Sequence, residues 1–431
     1  MADASDLRPL SAWHSTLIAL FIFIVAHAAL LVRLSTPEKF VFDEVHYVPA
    51  ARQILLPAPS SSQLNPMHPP LGKQLIALSI RSFGDNAFGW RYASTVFGAL
   101  AVMAIYLCGL ALFAAQGPAI AAAAIALFNQ MLFVQARVAM LDVFATGFSL
   151  LAIAAFMHGF RRQRPQLLFA MAGICFGLAI ACKWCGVFPW VTALGIAGII
   201  RMLQHWQTSF ADPEEDDWYS PELWPELSAM QVVLCLGVIP VVCYVATFIV
   251  LEGWSPVAIA EAQRRIFDDS VTMAIAGHTY MSAWPSWPFL VRPVWFLFDK
   301  TDDQHIAAVV LLGNPLVLWP GLLALLVCVH DFIAMRRRAA FLIAAFYVGC
   351  YLPWALLPRA LSFLYYYLPS AMLLSLALPC AWLRWHLPPW VLWAFVMVAA
   401  VGFVAMLPIS AAFVGTSMAT FNRLMLFQSW I

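Results

Sequence analysis

What this sequence has little of is charge. Lys and Arg number 23 and Asp and Glu 22, together 10% of 431 residues, whereas 63% are hydrophobic. A water-soluble globule carries roughly 25% charged residues to cover its surface. The shortage excludes a soluble enzyme, a disordered tail and a nucleic-acid binder, and the net charge of +1 gives no reason to expect a polyanionic partner. Also missing are an HExxH or other metal-ligand spacing, a second CxxC to accompany Cys182 and Cys185, and an internal repeat of the kind that builds inverted-repeat transporters. The nine cysteines lie in or beside apolar runs, as small buried hydrophobes do.

What is present is a succession of apolar runs, with a mean hydropathy of +0.83. A spanning helix needs about 20 such residues, which predicts roughly eleven spans, at 13–34, 88–113, 118–136, 140–159, 167–182, 186–203, 230–251, 306–329, 340–357, 361–383 and 389–412. The first is longer than a signal-peptide core and lacks a basic n-region, so it is expected to be retained. Basic clusters follow even-numbered spans: Arg161, Arg162 and Arg164, then Arg336, Arg337 and Arg338, then Arg384. The positive-inside rule predicts a multi-pass protein of the inner cell membrane, its N-terminus cytoplasmic and its C-terminus exterior. Segments 35–87 and 252–305 then face the exterior, and the expected organisation is one all-α membrane domain over 1–431 with short exterior loop helices and no separate soluble domain. The acidic run Asp212, Glu214, Glu215, Asp216 and Asp217 reads as a solvated cytoplasmic loop.

Two adjacent carboxylates, Asp43 and Glu44, stand just beyond the first span. A carboxylate at a partly dehydrated interface has its pKa raised, which suits a general base that takes a proton from an alcohol. A hydrated acid capping the next helix fits the spacing equally well. Further on, prolines and Gly72 hold His68 and Lys73 in a rigid segment, where Lys73 is placed either to meet a phosphate or to snorkel to headgroups. Arg91, Arg137, Asp142, Lys183 and Arg359 gather at one membrane face, a cationic set that a phosphate-bearing ligand fits. The plainer alternative pairs Arg137 with Asp142 and leaves the others as anchors. The second exterior loop carries His278, Tyr280, Trp284 and Trp287, which suit either an interfacial belt or a sugar and polyprenyl surface. His46, His68 and His278 with Asp43 or Glu44 make a conceivable divalent-metal set, without a supporting spacing.

In order along the chain, these pieces resemble the protein O-mannosyltransferases, dolichyl-phosphate-mannose-dependent enzymes of the GT-C glycosyltransferase class. The likeness rests on Asp43-Glu44, the HPPLGK segment His68 to Lys73, Arg91, the turn from Arg137 to Asp142, and Lys183-Trp184-x-Gly186. It continues through His278 to Pro288, Gly313-Asn314-Pro315, and Pro353-Trp354 through Arg359 to Pro369. The resemblance implies a GT-C architecture and inverting transfer of mannose from a polyprenyl phosphate carrier to Ser or Thr hydroxyls of secreted polypeptides on the exterior face. It implies Asp43 as base, Glu44 in acceptor positioning, and Arg91, Arg137, Lys183 and Arg359 around the donor phosphate. His68, Lys73, Tyr365, Tyr366 and Tyr367 would contact carrier or sugar, and His46, His278, Tyr280, Trp284 and Trp287 the acceptor or its loop. It implies no metal and no cofactor beyond the lipid-linked donor. Membrane lipids are expected partners and nucleic acid is not; translocon or homo-oligomer association has no sequence signature here.

The family often has Tyr-His-Tyr where this chain has Tyr365-Tyr366-Tyr367. Nothing in 252–305 is long enough for the β-trefoil insert of eukaryotic members, which suggests a bacterial one. The same acid would serve a transferase acting on an envelope lipid or glycan, as in GT-C enzymes that add aminoarabinose to lipid A. A transporter or flippase would instead place its charges at the midplane, among broken helices and repeats.

Overall fold

The computed structural model describes residues 12–57, 65–161, 165–210, 218–219, 224, 228–272, 277–357 and 361–431. Among them ten helices are long and apolar enough to cross a membrane. The N-terminal half supplies α1 (Ala12–Leu31), α2 (Glu44–Ile54), α3 (Leu71–Phe83), α4 (Ala87–Phe113), α5 (Gln116–Leu127), α6 (Gln130–Gln135), α7 (Leu141–Gly159), α8 (Pro165–Cys182) and α9 (Val187–Phe210). Of these, α2, α3, α5 and α6 are too short to span. Helices Ala229–Glu252, Pro315–Met335, Arg338–Ala355, Leu364–Arg384 and Pro389–Ser410 complete the membrane set.

Local chemistry starts and stops these helices. Asn86 caps α4, its Oδ1 accepting from the Phe88 and Gly89 amides at 3.0 and 3.1 Å. The 27 residues that follow rise about 40 Å, enough to cross a bilayer, and end at Ala114 in a left-handed conformation with φ 55°. The spans are apolar on every face because their outer sides meet lipid and their inner sides meet each other. Within the bundle, α7 packs between α4 and α8 and is the most enclosed span, while α1 is largely lipid-facing. Gly98 permits a close crossing: a Cβ there would overlap that of Ala136, just beyond α6.

Two expected spans take another form. The run 118–136 breaks at Phe128-Asn129 into α5 and α6, because Asn129 caps the second piece by accepting from the Met131 amide at 3.1 Å. The break is held from outside by Asn314, which donates to the carbonyls of Phe128 and Ala399 at 3.0 and 2.9 Å and also caps its own helix at Leu316. The run 306–329 is divided as well: His305–Leu311 is a strand, and the helix begins only at Pro315. That strand, β2, pairs antiparallel with β1 (Val294–Lys300) and with β3 (Thr416–Ser417). A small sheet therefore supplements the helical framework at the end of the bundle that carries Asp43. The acidic run at 212–217, together with Arg162 and Arg164, lies outside the described residues.

Candidate functional site

The carbonyl ends of α1 and α8 and the starts of α4 and α7 meet at one end of the bundle, and the loops between spans fold over them. Glu44 and Arg91 fix the meeting point; their side chains are 0% and 1% exposed. Arg91 Nε and Nη2 donate to the two Glu44 oxygens at 2.8 and 2.9 Å. Its other N–H groups reach the carbonyls of Leu34 at 3.1 Å, Pro37 at 2.8 Å and Lys39 at 2.9 Å. Glu44 also accepts from the Val41 and Ala139 amides at 2.8 and 2.9 Å. Acid and guanidinium are thus consumed in tying the first loop, α4 and the turn before α7 together. All five Arg91 donors are used in these contacts, and Glu44, expected in acceptor positioning, is sealed from solvent.

Arg137 is likewise absorbed. It donates to the Leu30 carbonyl at 2.9 Å, to that of Val32, and to that of Arg33 at 3.2 Å, capping the end of α1, and its guanidinium lies 4.9 Å from the Phe133 ring centre. Asp142 pairs with Lys183 instead, whose ammonium donates to its two oxygens at 2.9 and 2.8 Å. Burial alone would lower the Lys183 pKa; the Asp142 carboxylate reverses this and leaves it raised. The ammonium also lies 5.3 and 4.8 Å from the ring centres of Tyr365 and Tyr366.

Asp43 stands one residue before Glu44, at the start of α2, in a different environment. It is half-buried, and among the described residues its one side-chain hydrogen-bond partner is the Tyr47 hydroxyl, which donates at 3.5 Å from the next turn. Burial lifts the Asp43 carboxyl from 3.8 to about 6; Lys183 opposes the rise, Asp142 adds to it, and His46 and Tyr47 oppose it. The Tyr47 hydroxyl is itself pushed well above its ordinary value by burial, so it remains a donor. The preceding residue, Phe42, has φ 51° and stacks on Phe296 at 4.4 Å, with Tyr365, Phe363 and His278 edge-on at 6.0, 6.2 and 6.3 Å. An acid with a raised pKa therefore sits between a buried ion pair and an aromatic wall.

The other expected residues divide. Tyr365, Tyr366 and His278 belong to this wall, and His46 is exposed on the first turn of α2. His278 Nδ1 accepts from the Tyr280 amide at 3.2 Å, and the Tyr280 ring lies 6.3 Å from that of Trp295. Tyr367 turns away: its hydroxyl meets that of Tyr347 at 2.7 Å. Trp287, expected at the acceptor or its loop, is 1% exposed and fills the space beside Trp354 and Tyr366. Trp284 is held through its carbonyl by the Tyr351 hydroxyl at 2.9 Å. Lys73 donates to the carbonyls of Asn65 and His68 at 2.7 and 2.9 Å, so it clasps its own loop, and burial lowers its pKa to about 8. The His68 ring lies 6.1 Å from Tyr47. Arg359 lies outside the described residues. Among the described residues no three His, Cys, Asp or Glu side chains converge on a metal-sized site.

Sequence reasoning missed Tyr47, Phe42 and the Asp142–Lys183 pair. Tyr47 was legible in principle, because a residue four positions after an acid at a helix start lies over it. The pair was not, since it joins the start of α7 to the end of α8, 41 residues apart.

The model described as dolichyl-phosphate-mannose-protein mannosyltransferase matches residues 81–251, and that of the C-terminal four-transmembrane region of protein O-mannosyltransferase matches 257–430. The chain belongs to the protein O-mannosyltransferase family. The polyprenol-phosphate-mannose–protein mannosyltransferase of Mycolicibacterium smegmatis is 25% identical over 393 residues, covering 75% of this chain and 73% of the relative. The enzyme of the same name from Corynebacterium glutamicum is 25% identical over 469 residues, covering 90% and 88%. In fold, the chain is similar to the protein O-mannosyltransferase Pmt1-Pmt2 complex of S. cerevisiae, whose structure holds the sugar donor. That match has a TM-score of 0.80 at 14% identity, covering 100% of this chain and 94% of that one. The GT-C architecture expected for a mannosyltransferase is the one observed.

Proposed function

We propose that this protein is an inverting mannosyltransferase that moves mannose from a polyprenyl phosphate carrier to Ser or Thr hydroxyls of secreted polypeptides. The observation that carries the reading is Asp43: a half-buried carboxyl beside a membrane span, raised to about 6. It is mostly ionised at neutral pH yet basic enough to accept a proton from an alcohol as that alcohol attacks. The hydroxyl oxygen bonds to the anomeric carbon, its proton passes to Asp43, and the bond from that carbon to the carrier phosphate breaks with its electrons leaving on the phosphate. In-line attack and departure invert the centre. Lys183 has a third N–H beyond the two given to Asp142, and with Arg359 it supplies the positive charge for the departing phosphate. Tyr365, Tyr366 and Phe42 present aromatic faces to sugar or isoprene.

The family membership and the named mannosyl donor of the bacterial relatives support this reading. The basic residues Arg161, Arg338 and Arg384 lie at the end of the bundle opposite Asp43, which supports a cytoplasmic N-terminus and an exterior site and C-terminus. Purified protein given radiolabelled lipid-linked mannose with a Ser/Thr peptide or an envelope lipid tests the reading. Label in the peptide is expected; label only in the lipid would contradict the acceptor assignment.

A further inference from the structure

The end of the bundle opposite Asp43 holds a cleft separate from the transfer site. It lies between the last turns of Pro315–Met335 and Leu364–Arg384, has a volume of about 290 Å³, and is lined by Leu326, Val327, His330, Asp331, Arg384 and Trp385. Asp331 is 2% exposed and gathers two guanidiniums and an imidazole: Arg384 Nε at 3.0 Å, Arg337 Nη1 at 3.6 Å and His330 Nδ1 at 3.5 Å. A buried carboxylate thereby orients two guanidiniums. Arg384 spends only Nε on it, so among the described residues its two Nη groups, the fork suited to phosphate oxygens, make no hydrogen bond.

Depth and surroundings define the ligand. Asp331 lies close to the end of a 21-residue helix that crosses most of a bilayer, so the cleft falls at headgroup level. Its walls continue onto lipid-facing surface, with Leu326 64% and Trp385 57% exposed. Two guanidiniums against one carboxylate leave an excess of positive charge, while Asp331 is too deeply sealed to receive the ammonium of a zwitterionic headgroup.

We propose that this cleft binds the phosphate of an anionic membrane phospholipid, held by the Nη groups of Arg384, with Arg337 adding positive charge through its ion pair to Asp331 and the acyl chains along Leu326 and Val327. Native mass spectrometry of the delipidated full-length protein tests this with phosphatidylglycerol, phosphatidylcholine and inorganic phosphate as probes. Phosphatidylglycerol is expected to be retained roughly tenfold better than phosphatidylcholine, and Arg384→Lys, which keeps a cation beside Asp331 but loses the fork, is expected to abolish most of that preference. Trp385→Ala, which leaves the ion pairs intact, is expected to weaken retention of the lipid. Equal retention of the two lipids by the wild type, an unchanged preference in Arg384→Lys, or displacement of the lipid by millimolar inorganic phosphate would each overturn the proposal.

Discussion

Glu44 holds Arg91 through both carboxylate oxygens, at 2.8 and 2.9 Å, with neither side chain more than 1% exposed. Asp43, its neighbour in the chain, has among the described residues only a long 3.5 Å side-chain bond from Tyr47, and its pKa is raised to about 6. Two consecutive acids thus stand in different environments, one sealed in an ion pair and one half-buried with a raised pKa. Glu44 anchors the loop that carries Asp43, so the position of the proposed base depends on the Glu44–Arg91 ion pair.

Removing one member of the Glu44–Arg91 pair leaves an uncompensated buried charge, which costs about 3–5 kcal/mol. Arg91→Ala and Glu44→Ala are expected to lower the Tm sharply and to reduce monodisperse protein in size-exclusion chromatography, with activity falling alongside. An Arg91→Ala protein that is as stable as wild type and shows only a raised KM for donor would return Arg91 to the phosphate site.

Asp43→Asn is expected to act in the opposite direction on stability. Because the folded pKa of about 6 exceeds the ordinary 3.8, the ionised acid opposes folding. Its favourable contribution is complete below the unfolded value and is lost as pH rises through the folded one. The amide should therefore gain roughly 1–3 kcal/mol at neutral pH. Thermal melts checking this should show a raised Tm at pH 7 and a gain that shrinks toward pH 4.

Much of this arrangement was legible in the sequence. Scarce charge and apolar runs indicated a helical membrane protein, and the few charges marked the end that holds the site. Individual roles were less visible, because Asp43 and Glu44 are equivalent until Arg91 chooses one of them. The run His305–Leu311 failed for another reason: a short, continuously apolar segment has no periodicity that separates a buried strand from a helix. Gly313-Asn314-Pro315 was the available stop signal, since Asn caps and Pro starts helices.

The electrostatics around Asp43 predict shifts in the acid limb of the pH–rate profile. Lys183→Met removes a cation that holds the Asp43 pKa down, so the limb should move to higher pH, by about half a unit or more. Tyr47→Phe removes the Tyr47 hydrogen bond to the carboxylate and should move it the same way by less. Initial rates between pH 5 and pH 8 measure both; a limb that stays fixed would remove these residues from the environment of the base.

Asn314 binds two carbonyls, at 3.0 and 2.9 Å, and caps its helix. Asn314→Ala strands the carbonyls at Phe128 and Ala399 and loses the cap, at a cost of about 2–4 kcal/mol. The expected result is a lowered Tm with an unchanged pH profile in the remaining folded enzyme, measured by melting curves and rates per folded molecule.

The central claim is that Asp43 removes the proton from the attacking hydroxyl. Its most direct test is the rate of mannose transfer to a Ser/Thr peptide by purified wild type and Asp43→Asn, measured at saturating donor across the pH range. A wild-type acid limb near pH 6 is predicted, with a loss on the order of a thousandfold in the amide variant above that limb. An Asp43→Asn enzyme within tenfold of wild type, with the same limb, would contradict it.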